Sequence, residues 1–239
     1  RGFPNACQRL HENDGWFGFQ YGSSLRCCSS RVKKLLCLLG ILFSTSASAV
    51  ENTAEVWNTN KVSAPLFGEH LSFAAEQEIR VRDSYGIYYS HSDFGIYNNS
   101  IKNLSLSLNF REVFETRDGW FVEHRPHFNI GYKHSSNNFT VANRFRFELR
   151  TYEIYDTSIR YRNKLEFGLK MNKFFFFVND EIFFTHSAIP RNRNSLGMSY
   201  KATNTLKIGL SYLLQQNFKD VLVLNHAAYV KIGLKFSIQ

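Results

Sequence analysis

Residues 143–150 read Asn-Arg-Phe-Arg-Phe-Glu-Leu-Arg, and this stretch decides the fold. Charged and apolar side chains alternate one for one, the period of a β-strand and not of a helix. Arg144, Arg146, Glu148 and Arg150 fall on one face, Phe145, Phe147 and Leu149 on the other. A soluble core would reject the first row, and a soluble surface would not carry the second. A closed barrel with lipid outside and paired charges inside accommodates both.

The alternation extends in both directions. Leu104, Leu106, Leu108 and Phe110 oppose Ser105, Ser107, Asn109 and Arg111; Leu206, Ile208, Leu210, Tyr212 and Leu214 oppose Lys207, Gly209 and Ser211. Candidate strands fall at 54–62, 70–82, 86–98, 103–115, 120–134, 140–153, 157–170, 173–185, 191–202, 205–217 and 222–237. They suit the 9–11 residues of a tilted membrane strand, and Asn, Asp, Gly, Ser, Thr and Pro separate them. Because single-chain bacterial barrels have even strand numbers, this all-β reading expects an antiparallel transmembrane barrel of about ten strands, with twelve as the alternative. The Trp57 segment is then an extra strand or lies along the rim. The turns at 98–100, 171–172 and 202–204 fall on the periplasmic side, and the Ser187-to-Asn194 connection outside. An exported soluble sandwich is the competing class.

Residues 32–49 read as a cleavable signal peptide: Lys33 and Lys34, an apolar run Leu35–Phe43, then Ala47-Ser48-Ala49 with cleavage after Ala49. The apolar run is too short to span a membrane as a helix. Residues 1–31 fit nothing downstream and read as an over-extended translation or a disordered extension. The expected mature barrel is 50–239, bound for the bacterial outer membrane. Cys7, Cys27, Cys28 and Cys37 all precede it, so disulfides, thiolate chemistry and Cys-based metal sites are not expected there. Six of the 29 basic and two of the 20 acidic residues precede residue 50, leaving 23 against 18, or +5. Those charges are interspersed, which argues against nucleic acid as a partner.

On this parity the lumen carries Glu76, Glu78, Arg80, Arg111, Glu123, Arg125, Arg144, Arg146, Glu148, Arg150, Arg160, Arg162, Glu181 and Arg193, joined by Arg82, Lys164 and Glu166. Arginine at every second position matters because its planar fork can hold two carboxylate oxygens on its own or a neighbouring strand. The network either fills the barrel as structure or lines a narrow path or pocket for anions. A general-diffusion porin is not expected, since open channels need about sixteen strands or more.

The same positions bring out a family. Trp57, Glu76-Gln77-Glu78-Ile79-Arg80, Phe110-Arg111, Glu123-His124-Arg125, the 143–150 strand, Arg160-Tyr161-Arg162, Asn179-Asp180-Glu181, Asn192-Arg193, Gly197 and Asn225-His226 occur in order. The chain resembles the bacterial outer-membrane barrels grouped as domain of unknown function 2490. That resemblance implies a fold and a compartment, with outer-membrane lipid, periplasmic chaperones and the barrel-assembly machinery as partners, but no activity and no cofactor. The final Lys235-Phe236-Ser237-Ile238-Gln239 resembles a C-terminal assembly signal without its terminal aromatic.

One constellation points to an enzyme. His134-Ser135-Ser136-Asn137 resembles the H-x-S-N motif of outer-membrane phospholipase A and lipid A deacylases. There the imidazole deprotonates the hydroxyl for attack on an acyl ester. His134 and Ser136 share the lipid-facing parity, and Asn143 on the next strand could orient the histidine. The plain reading is a polar hairpin turn. The eight histidines show no metal-ligand spacing. Three smaller expectations complete the reading: Phe174–Phe177 contacts lipid and lines the lumen, a bulge relieves Asp180 on the lipid side, and Tyr85, Tyr88, Tyr89, Tyr97, Trp120 and Tyr132 form aromatic girdles.

Overall fold

The computed structural model describes residues 51–236 except 69, 84–85, 117–118, 154–155, 187 and 219–221. The expected extension 1–31, the signal segment 32–49 with its cut after Ala49, Tyr85 and the terminal 237–239 lie outside the described residues.

Eleven strands form one closed barrel: β1 (Glu51–Phe67), β2 (Leu71–Arg82), β3 (Gly86–Asn98), β4 (Leu104–Thr116), β5 (Trp120–Ser136), β6 (Phe139–Tyr152), β7 (Ser158–Met171), β8 (Phe174–Phe184), β9 (Arg191–Lys201), β10 (Leu206–Phe218) and β11 (Leu222–Lys235). Consecutive strands pair antiparallel, and the wall closes through β1 against β11.

That closure corrects the strand number. The even-number expectation removed one of eleven correctly located segments. The rule holds for a wall that is antiparallel throughout, whereas here Glu51–Ser63 pair in parallel with Val223–Lys235. The Trp57 segment is therefore a full wall strand. Its alternation supports this, since Glu55, Trp57 and Thr59 are buried between exposed Ala54, Val56 and Asn60.

Gly68 and His70, 99–103, Asn137-Asn138, Asn172-Lys173 and 202–205 share one rim, with the end of β11. Asn103, Asn137 and Asn172 have φ of 65°, 52° and 53°, a left-handed backbone that asparagine tolerates better than other side chains. This is called the open rim below, and the opposite one the closed rim. The 98–100, 171–172 and 202–204 turns do share a rim, and Arg191–Asn194, where the expected strand 191–202 and the expected connection to Asn194 overlapped, belong to β9.

Outside, Leu108, Phe139 and Leu196 are among the large apolar side chains that are two-thirds exposed. The exterior is not uniformly apolar, because a polar belt crosses it part-way along the strands. Gln77 donates to Ser90 at 2.8 Å and accepts from Ser92 at 2.6 Å; Glu112 lies 3.7 Å from His124; Asn194 donates to Asp180 at 2.7 Å. Gln77 with Ser90 and Ser92, and Asp180 with Asn194, satisfy one another, which lowers the cost of placing them there. Asp180 thus needs no bulge: β8 keeps unbroken register, with Asp180 opposite Leu165 and Asn194. Register shifts occur elsewhere, one of them between Pro65 and Phe67 on β1. Between β2 and β3 the register skips from Arg80↔Tyr89 to Val81↔Ile87, and the extra residue, Tyr88, turns inward to donate to Glu55 at 2.5 Å. Tyr88, Tyr89 and Tyr97 consequently serve the lumen and not a girdle; Trp120 and Tyr132 stay exposed.

The interior is two unlike halves. Toward the closed rim the inward positions are large: Trp57, Val113, Phe121, Phe183, Glu123, Glu148, Arg125 and Arg160 are buried. Toward the open rim they are small, as in Ser195, Gly197 and Ser199 on β9 or Gly209 and Ser211 on β10. Gly197 is required sterically, since an added Cβ would meet the Ser211 Cβ and the Leu210 carbonyl oxygen. Gly197→Ala is therefore expected to force β9 and β10 apart and lower the unfolding free energy by about 1–3 kcal/mol. Urea titration of the folded barrel checks it, and an unchanged midpoint would contradict this account.

Candidate functional site: a cationic lumen

Strand parity turns all fourteen charged residues assigned to the lumen toward the interior. In and beside the closed half, three of four carboxylates gather more than one guanidinium group, and two of the four, Glu78 and Glu181, also border the open-half cavity. Glu148 on β6 accepts from Arg160 Nε at 2.7 Å and Arg162 Nη1 at 2.9 Å, both on β7. Glu181 on β8 accepts from Arg162 at 2.8 and 2.9 Å and from Arg144 on β6 at 2.6 Å. Glu123 holds Arg125 at 2.8 Å through both oxygens, and Arg150 at 2.7 and 3.0 Å. Glu78 accepts from Arg80 at 2.7 Å. These are charge-assisted bonds; Arg125 and Arg150 each reach both oxygens of Glu123, and the contacts of Glu148, of Glu181 and of Arg150 with Glu123 run between strands. Glu148 and Glu123 have no exposure at all, so this half is packed.

Sequence reasoning missed the other hubs. Glu55 accepts from Trp57 Nε1 at 2.6 Å, Arg82 at 2.5 Å, Tyr88 at 2.5 Å and Asn225 at 2.7 Å. It thereby ties β1, β2, β3 and β11 at the seam. Asp93 accepts from Arg111 Nε at 2.7 Å and Asn109 at 2.8 Å, with His127 at 3.5 Å. Both carboxylates lie on the alternation, and the signal for Glu55 disappeared with the demotion of β1.

The open half encloses a cavity of about 590 Å³. Eleven Lys or Arg side chains line it against five Asp or Glu. Beyond it a vestibule of about 570 Å³ carries seven lysines and a single glutamate, Glu166. Middle-depth cations are matched: Lys61 and Lys231 approach Glu76 at 4.0 and 3.7 Å, and Lys164 approaches Glu166 at 3.3 Å. Deeper in, Arg193 leans on a neutral amide, its Nε donating to Gln215 at 2.7 Å. Arg146 Nε donates to the Asn129 amide at 2.5 Å, and its Nη1 lies 3.5 Å from Glu148. The Arg193 guanidinium lies over the Trp57 and Phe183 rings, at 4.9 and 4.8 Å from their centroids. Phe175 and Phe177 stack at 6.3 Å along β8 and line the cavity, whereas Phe174 and Phe176 face out, so that run divides between lumen and exterior.

His134 and Ser136 are exposed on the outward face at the open rim, two and zero residues from the end of β5. Asn143 does not serve the histidine: its amide exchanges hydrogen bonds with Asn163 at 3.2 and 3.3 Å.

A closed β-barrel with a charge-filled interior is the class these features define. The chain belongs to the family described as Protein of unknown function (DUF2490), whose match covers residues 54–221. No curated protein and no solved structure matches it.

Proposed function

We propose that this chain is a small bacterial outer-membrane barrel whose closed half is structural and whose open half receives anionic solutes. The carrying observation is the excess of cations around the cavity and vestibule, where water-accessible volume remains. Low-dielectric walls focus such a field and raise the local concentration of anions. The fully buried side chains of the closed half, Glu123 and Glu148 among them, favour a pocket over the through-path for anions that the sequence also allows. The lumen is therefore a blind pocket that opens where the hairpin turns are short. In a barrel of this kind short turns face the periplasm, so the pocket samples periplasmic solutes. Delivery to the membrane would depend on a signal peptide at 32–49, periplasmic chaperones and the barrel-assembly machinery, with outer-membrane lipid around the wall.

Two measurements test this reading. Cell fractionation should require detergent to extract the protein, and release with the soluble periplasmic fraction would reject the membrane assignment. A cysteine placed at Ser199 on the pocket wall, with the four native cysteines changed to serine, tests the field. It should react at least tenfold faster with an anionic methanethiosulfonate than with a cationic one. Equal or reversed rates would reject the anion pocket.

A further inference from the structure

The pocket's cations lie at two depths, with a neutralised zone between them. At the inner end Arg193 offers a guanidinium held by one neutral amide and two aromatic faces. Arg162 Nε and Arg144 Nε there have no hydrogen-bond acceptor. At the mouth stand Lys133 and Lys207, in a vestibule whose one carboxylate, Glu166, already lies 3.3 Å from Lys164. Between the two levels the lysines are matched by Glu76 and Glu166, and the wall presents Phe175 and Phe177 opposite small residues.

The separation follows from register. Arg193 pairs with Gln215, and Lys207 lies eight residues further along the same strand. That is roughly 26 Å of strand, or about 20 Å along the axis at a ~40° tilt. Arg193 keeps its guanidinium over Trp57 and Phe183, so only the mouth lysine shortens the gap between charges, to on the order of 15 Å.

Resting on the anion-pocket reading, we infer that the lumen selects an elongated organic dianion. One anionic group meets Arg193 at the inner end, the other meets the vestibule lysines, and an apolar spacer lies along Phe175 and Phe177. A single carboxylate engages one level only. The planar fork at the inner end suits a carboxylate or phosphate bound through two oxygens, while the lysines act as mobile point charges.

Isothermal titration calorimetry on the detergent-solubilised full chain tests this with sebacate, its monomethyl ester and succinate. Sebacate should bind at least tenfold more tightly than either of the others. Arg193→Gln should reduce sebacate to the level of the monoester, and so should the double change Lys133→Gln with Lys207→Gln. The mouth lysines are surface groups whose replacement leaves the packed half intact, so this arm stays informative if Arg193→Gln does not fold. Equal affinity for sebacate and its monoester would overturn the dianion inference and leave the anion pocket standing. Failure of all three carboxylates to bind, joined to equal methanethiosulfonate rates at Ser199→Cys, would remove both.

Discussion

Glu148→Ala is expected to lower the unfolding free energy of the barrel by about 3–5 kcal/mol, the usual consequence of removing one partner from a buried ion pair. The carboxylate is wholly buried, and Arg160 and Arg162 both donate to it at under 3.0 Å. Arg162 keeps Glu181, but Arg160 is left buried without its hydrogen-bonded acceptor. The damage is thus mainly the stranded charge, which a double-mutant cycle isolates. In an Arg160→Leu background the same Glu148→Ala change should cost less by 1 kcal/mol or more. Urea titrations of the four proteins measure it; strict additivity would mean that the pair contributes no specific coupling.

A loss of similar size, about 3–5 kcal/mol, is expected for Glu55→Ala, with a different signature. Glu55 gathers donors from four strands, two of which, β1 and β11, meet in parallel. Removing it takes a carboxylate from the Arg82 guanidinium and the acceptor from Trp57 Nε1, the Tyr88 hydroxyl and the Asn225 amide, each of which then bears its own desolvation cost. Hydrogen exchange should therefore rise first in β1 and β11, whereas Glu148→Ala should act first on β6 and β7. Uniform loss of protection around the wall in both variants would contradict this division. Glu55→Gln keeps an acceptor oxygen and should recover part of the loss.

Strand location and facing were legible because a period of two is a strong signal once apolar and charged residues alternate without interruption, as in 143–150. Strand number was not, because counting rules describe the wall and not its closing pair. Nothing in β1 announces that it will run parallel to β11. Tyr88 was misplaced because a one-residue bulge reverses parity, and two adjacent tyrosines look alike whichever of them is extra. The lumen charges could be read from parity, but the pocket could not be read from charge alone. It depends on where inward side chains are small, visible on β9 as Arg191 and Arg193 followed by Ser195, Gly197 and Ser199. Asp180 looked like an error in an apolar row; its account lies on the next strand, in Asn194.

The seam has a consequence for assembly. Every other pair of neighbouring strands is joined by a short link, so hairpins can add in sequence at little entropic cost. Bringing Thr59 to Tyr229 instead unites positions 170 residues apart, and the entropy of closing so long a chain segment must be met before any contact rewards it. Zipping should then run round the circumference and stop one ladder short. Until that ladder forms, the arc presents two raw edges to any strand nearby, including those of another molecule.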